Sequence, residues 1–308
     1  MSAILSVSNL RKSYGSHKAV DGISFSVTRG GIMGLLGPNG AGKTTTIRMA
    51  MGILPVDDGE ITFCFNGQNG PLEKTRVGYL PEERGLYEDV KVLDNLVFLA
   101  GLKGMPRKEA TAEAKAWLKR LDLEACASKK VEKLSKGMQQ KVQFIASILH
   151  HPQLVLFDEP FSGLDPVNQD FIKNIIRELQ AEGVTIILSA HQMNLVEELC
   201  DSIFLINRGR EILSGNLQEI KSGYKENVVE LRYAPSGDVS FLERIPGMRV
   251  LRIESGAATL RYGGSIAMAD LLKELSTGLD IEEISVRKPP LHEIFIETTK
   301  ERGEYIDE

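Results

Sequence analysis

The sequence predicts an α/β domain built on a parallel sheet, followed by a small α+β domain. Three features carry that expectation. An all-apolar run, residues 32–36, enters a glycine-rich turn and then a segment with helical spacing. Two further apolar runs, 154–157 and 185–188, flank a helical pattern at 171–182. All-apolar strands are those covered on both faces of a parallel sheet, and strand–helix–strand implies a right-handed crossover. After Gly223 the pattern becomes strand, short helix, strand, strand, helix, strand, the order of a ferredoxin-like unit.

Taken in order, residues 5–10 and 23–27 read as short strands with alternating character. The run 32–36 reads as a buried strand and 45–51 as a helix. Residues 85–150 are expected to be mostly helical, because apolar residues recur three and four apart at 93–102 and 109–121. In the second domain, strands are expected at 228–233, 249–254, 259–262 and 283–287, and helices at 239–244 and 266–275. A last helix, 291–299, follows Pro289-Pro290, and the charged tail, 300–308, is expected to fray. The expected domains are 1–223, with a helical subdomain at about 85–150, and 224–308.

Bulk properties exclude several classes of function. A chain of 308 residues with 42% hydrophobic and 26% charged content suits two folded, soluble domains. The net charge is -5, with both signs spread along the chain, which argues against a nucleic-acid partner. Cys64, Cys126 and Cys200 form no CxxC pair, so free thiols in a reducing compartment are expected. The histidines make no metal-ligand pattern. The N-terminus lacks the charged and apolar regions of a signal peptide. Apolar runs are a handful of residues long, against about 20 for a membrane span, so a membrane role would have to come through a partner chain.

The chemistry begins at Gly37-Pro38-Asn39-Gly40-Ala41-Gly42-Lys43-Thr44. This fits G-x-x-x-x-G-K-[ST] and lies between a strand and a helix, as a phosphate-binding P-loop requires. The glycines let successive N–H groups turn toward one concavity, and the helix start adds partial positive charge. Lys43 is expected to reach the β- and γ-phosphates of ATP, Thr44 to offer its hydroxyl to Mg²⁺, and Thr45 to help hold the α-phosphate. The strand Leu154-Val155-Leu156-Phe157 delivers Asp158 and Glu159 at its C-terminal end, where ligands bind in open α/β sheets. Asp158 suits Mg²⁺. Glu159 suits a base that orients or deprotonates the attacking water.

With these motifs the chain resembles the ATP-binding subunits of ABC transporters over about residues 3–220. The resemblance implies a P-loop NTPase core of ABC type with a helical subdomain. Leu134-Ser135-Lys136-Gly137-Met138 stands where the family has L-S-G-G-Q, with Lys136 and Met138 as departures. Ser135 and Gly137 are kept, and in the family they bind the γ-phosphate held by the opposite subunit. Ser162-Gly163-Leu164-Asp165-Pro166 looks like the D-loop, His191 like the switch histidine and Tyr14 like the adenine platform. After Gly78-Tyr79-Leu80-Pro81, which reads as a turn, the family usually has a glutamine. Here it is Glu82, which can accept from Mg²⁺-bound water but cannot donate. The loop at 84–90 corresponds to the place where membrane subunits dock. The C-terminal part is similar to the accessory domain of bacterial drug- and sodium-exporter-type ATP-binding subunits. The resemblance implies an ATPase powering transport, with export favoured. It would work with separate integral membrane subunits and a second copy of itself, at the cytoplasmic face of the membrane. A soluble ABC-type ATPase of ribosomes or DNA is disfavoured by the single phosphate loop and the absence of a basic face. A non-catalytic regulatory subunit is disfavoured by the intact Lys43, Asp158, Glu159 and His191.

Overall fold

The computed structural model describes residues 2–83, 85–235, 239–264 and 267–301. The chain divides into two compact units between Gly215 and Asn216. The first unit runs β1 (Ala3–Tyr14), β2 (His17–Thr28), β3 (Ile32–Leu36), α1 (Lys43–Ala50), β4 (Asp58–Phe65), β5 (Gln68–Gly70) and β6 (Val77–Leu80). It continues through α2 (Val92–Leu102), α3 (Arg107–Arg120), α4 (Lys136–Ile148), β7 (Leu154–Asp158) and α5 (Pro166–Ala181). It ends with β8 (Thr185–Ala190), α6 (Met193–Leu199), β9 (Ser202–Asn207) and β10 (Arg210–Asn216).

Two sheets build this unit. One has the order β2-β1-β4-β5, with its strand pairs antiparallel. The other has the order β10-β9-β3-β8-β7-β6, in which β9, β3, β8, β7 and β6 run parallel. Every residue of β3, β7 and β8 is buried, which is why the stretches 32–36, 154–157 and 186–188 within them carry no polar side chain. A core cluster joins the two sheets, with Phe25 and Phe204 rings 4.8 Å apart. Each such buried aliphatic or aromatic side chain contributes about 1.5–3 kcal/mol.

The structure corrects the expected elements in places. The strands β1 and β2 are about twice the expected length, because their antiparallel pairing continues through polar residues as far as Tyr14 beside His17. Residues 78–80, expected as a turn, belong to strand β6, paired in register with β7. Gly78 is needed there: a Cβ would lie 2.1 Å from the Ser147 carbonyl oxygen. Strands β4, β5, β9 and β10 and helix α6 go beyond the expectation. The span 85–150 holds α2, α3 and α4 joined by loops and 3₁₀ turns.

The second unit runs α7 (Leu217–Gly223), β11 (Asn227–Tyr233), β12 (Met248–Glu254), β13 (Ala257–Tyr262), α8 (Met268–Gly278), β14 (Ile281–Arg287) and α9 (Leu291–Glu301). Its sheet has the order β12-β13-β11-β14 with antiparallel neighbours, the ferredoxin-like arrangement that the element order predicts. The helix expected at 239–244 is a single 3₁₀ turn, Leu242–Arg244. Pro246 follows, and a residue before proline is pushed out of the α region; Ile245 is accordingly extended, at ψ 124°. The expected start of the next helix, Ile266, and the tail beyond Glu301 lie outside the described residues.

Candidate functional site

Register places the site. Leu36 of β3 sits beside Ala190 of β8, Asp158 of β7 beside Ser189, and Leu80 of β6 beside Phe157. The residues that follow these strand ends therefore leave the sheet side by side. They surround a cleft of about 620 Å³ lined by Tyr14, residues 39–45, Glu82, Glu159 and His191.

The loop between β3 and α1 needs its glycines for two separate reasons. Gly37 has φ +154° and packs so closely that a Cβ would meet the Ile206 carbonyl oxygen at 2.1 Å. Gly42 has φ +112°, and its Cβ would meet the Ala19 carbonyl oxygen at 2.4 Å. Lys43 begins α1 and is buried. Its ammonium donates to the Gly37 and Pro38 carbonyls at 2.8 and 3.1 Å and lies 3.9 Å from the Glu159 carboxylate. Burial holds its pKa below the usual lysine value, against the pull of the Glu159, Asp158 and Glu82 carboxylates.

Asp158 lies beneath the loop, fully buried. Its Oδ1 accepts from the Thr44 hydroxyl at 3.3 Å and from the Ser189 hydroxyl at 2.6 Å. Its Oδ2 is buried and has no hydrogen-bond partner. An unsatisfied buried carboxylate oxygen beside a threonine hydroxyl fits an oxygen-ligated cation such as Mg²⁺. The next residue, Glu159, adopts φ +53°. Its N–H donates to the Ser189 hydroxyl oxygen at 2.9 Å, and its Oε2 lies 2.9 Å from His191 Nδ1. Burial raises the Glu159 carboxyl above its ordinary pKa, with His191 and Lys43 opposing.

The remaining expected residues fall in two groups. Tyr14 is 49% exposed at the cleft, with the Lys12 ammonium 5.8 Å from its ring centroid, so a flat apolar face is open to a ligand. Glu82 lines the cleft from the loop after β6. Ser135 and Gly137 are not brought to the cleft. Ser135 caps α4, its hydroxyl accepting from the Met138 N–H at 3.3 Å, and Gly137 sits in the first turn of that helix. Ser162, the first residue of the D-loop-like segment, also lines the cleft, as do His17 and Ala19; Ser189 holds Asp158 and the Glu159 N–H. Of these, His17, Ala19 and Ser189 were not anticipated as site residues. The available signal was Ser189 itself, a hydroxyl that follows the apolar run 186–188.

The chain is 41% identical over 298 residues to an uncharacterised ABC transporter ATP-binding protein of Bacillus subtilis, YhaQ, covering 96% of this chain and 98% of that one. It belongs to the ABC transporter ATP-binding proteins. The family described as ABC transporter matches residues 20–162, and the family described as ATP-binding protein DrrA1-3-like, C-terminal domain, matches residues 215–299. The chain is also 31% identical to the linearmycin resistance ATP-binding protein LnrL of Bacillus subtilis, over 96% of this chain and 98% of that protein. Among solved structures, an ATP-binding subunit of an ABC transporter matches with a TM-score of 0.66 and 33% identity, over 71% of this chain and 92% of that one. As a member of this family the chain is an ATP-binding subunit and an ATPase coupled to transport, and it works with membrane subunits of the transporter. Among the described residues no helix is long and apolar enough to cross a membrane.

Proposed function

We propose that two copies of this chain close on two ATP molecules, each held by residues 37–45 of one copy and by Ser135 and Gly137 of the other, on the cytoplasmic face of a membrane. The observation that carries this reading is a divided site. Lys43, Glu159 and His191 line one cleft with Asp158 buried beneath it against Thr44, while Ser135, the cap of α4, is not part of its lining. The phosphate loop then grips the polyphosphate with its backbone N–H groups and Lys43, and Tyr14 stacks on adenine. Thr44 and Asp158 would hold Mg²⁺, with Glu82 close by; the cation would neutralise charge on the phosphate oxygens. Glu159 takes a proton from the water that attacks the γ-phosphorus, and ADP leaves. Its raised pKa suits that role, and a proton on His191 Nδ1 aims the carboxylate. Loss of the γ-phosphate removes the contacts that favour the closed pair, which then opens.

The motion passes to membrane subunits through the helical part of the unit. Tyr87, Phe98 and Leu102 are 49–64% exposed there, an apolar patch suited to a short helix of the membrane partner. Relatives named for linearmycin resistance, daunorubicin resistance and Nod factor export support export as the direction.

The test is Glu159→Gln. The variant is expected to bind ATP as the native chain does, to lose about 10²–10⁴-fold in turnover, and to run as a dimer on size exclusion only with Mg²⁺ and ATP. Near-native turnover, or a monomer under all conditions, would remove the reading.

A further inference from the structure

We propose that Gln143 is a positioning residue for Glu82, and that it ties the Glu82 loop to the helix that begins at Ser135. The proposal rests on the reading of Glu82 as a residue that works beside the bound nucleotide.

The observation is an amide with two acceptors. Gln143 is 4% exposed in the middle of α4. Its Nε2 donates to the Pro81 carbonyl at 3.1 Å and to the Glu83 carbonyl at 2.8 Å. These carbonyls flank Glu82 on either side. Residues 81–83 belong to neither a strand nor a helix, Pro81 has no N–H to offer, and at the side-chain level Arg48 of α1 donates to the Glu83 carboxylate at 3.2 Å. One side chain thus fixes the backbone on both sides of the residue that lines the cleft.

Gln143 has a counterpart one turn earlier. Gln139, also buried, donates to the Val131 and Leu134 carbonyls at 3.0 and 3.2 Å. Residues four apart share a helix face, so one face of α4 carries two buried amides. The first secures the turn leading into Ser135, and the second secures the loop bearing Glu82. The helix spans Lys136–Ile148, and Ser135 lies about 12 Å along it from Gln143 at the usual rise. A rigid helix cannot move at its capped end without moving Gln143. A shift of Ser135 and Gly137 toward a second copy therefore changes where Glu82 stands.

A glutamine that only packed the loop would affect stability and act independently of Glu82. One that positions Glu82 acts through it. The test is a double-mutant cycle in the full chain with Gln143→Met, which keeps length and removes the donor, and Glu82→Ala. Gln143→Glu serves as a second variant of the same shape. The readouts are kcat, KM for ATP, and the rise in melting temperature that Mg²⁺ adds to that produced by ATP alone. Gln143→Met is expected to lower kcat about tenfold with KM changed less than about twofold and to shrink the Mg²⁺-dependent rise. In the Glu82→Ala background it should change either readout less than about twofold. If Gln143→Met and Gln143→Glu leave kcat and the Mg²⁺-dependent rise at native values, the proposal is overturned. The same holds if either variant costs as much with Glu82→Ala as without it. If Glu82→Ala alone is native in both readouts, the reading of Glu82 fails first and the proposal falls with it.

Discussion

At Glu159 the chain turns into the left-handed region, φ +53°, which a residue with a Cβ adopts at a cost of order 1 kcal/mol. Ser189 supports it there, accepting from the Glu159 N–H and donating to Asp158 Oδ1. Removing that hydroxyl should free both groups at once. Ser189→Ala is expected to lower kcat about tenfold while ATP affinity, read by nucleotide fluorescence, changes little; native kcat would show that the strand alone sets Glu159. The raised pKa of Glu159 gives a separate expectation without nucleotide. The folded chain holds this proton more tightly than the unfolded chain, so stability falls as pH rises from the ordinary value of 4.5 through the raised folded value, and the cost is fully present above it. Glu159→Gln should therefore melt higher than the native chain near neutral pH, with the gap closing below pH 4.5. An equal or lower melting temperature at neutral pH would show that the pairing with His191 and Lys43 outweighs the burial. Lys43 and Glu159 were legible because their chemistry lies in local motifs. Ser189 and Gln143 act on partners 31 and 62 positions away, pairings that only sheet register and helix packing create.

At the scale of elements, the covered strands β3, β7 and β8 were legible, whereas β9, buried at five of six positions, and the half-covered β4 were not. The run Ile32–Leu36 is apolar throughout because β8 and β9 flank it in the sheet and neither of its faces meets water. Strand β4, Asp58–Phe65, leaves its first three residues exposed, so its pattern carries no clear period. Polar anchors inside elements were equally hidden. Asn95 of α2 is fully buried. Its amide donates to the Tyr87, Val90 and Lys91 carbonyls and its Oδ1 accepts from the Tyr87 N–H. It thereby shapes the loop beside the apolar patch. In the second unit, Arg261 of β13 is 7% exposed. It pairs with Glu293 at 2.9 Å, with Glu226 at 3.4 Å and with Glu297, holding α9 to the sheet. Arg261→Ala leaves three carboxylates facing one another and should destabilise the second unit by about 1–3 kcal/mol, discounted for their partial exposure. Arg261→Met, which keeps the packing of the stem, should cost less. The single tryptophan, Trp117, lies in the first unit. Loss of helix and strand signal below the tryptophan transition would locate the damage; coincident transitions would argue against it.

For the whole molecule, the fold class follows from the order of elements. Strand and helix alternate around the phosphate loop, and β-α-β-β-α-β recurs at the end of the chain. In the proposed pair, Ser135 and Gly137 of each copy complete the site of the other. Ser135 and Gly137 look idle until a second copy is considered, and this division makes a prediction that no single-copy mechanism shares. In a symmetric pair, a site built across the interface takes Lys43 from one chain and Gly137 from the other. Lys43→Ala and Gly137→Glu should each abolish turnover as pure samples, because every site then has one damaged half. In a pair formed from one chain of each kind, both lesions fall in the same site and the other site is intact. Mixing the two inactive proteins in equal amounts should then restore roughly a quarter of the native rate, since about half of randomly formed pairs are mixed and each carries one working site of two. The recovery should rise with protein concentration, as pairing does. If the mixture stays inactive while each variant is shown to fold and Gly137→Glu still binds ATP, then either both sites must be intact for turnover or the site is completed within one chain. Attaching the two variants as one linked polypeptide and measuring single-turnover hydrolysis separates these: one burst per pair means a shared site with coupled turnover, and no burst means the site does not cross between copies.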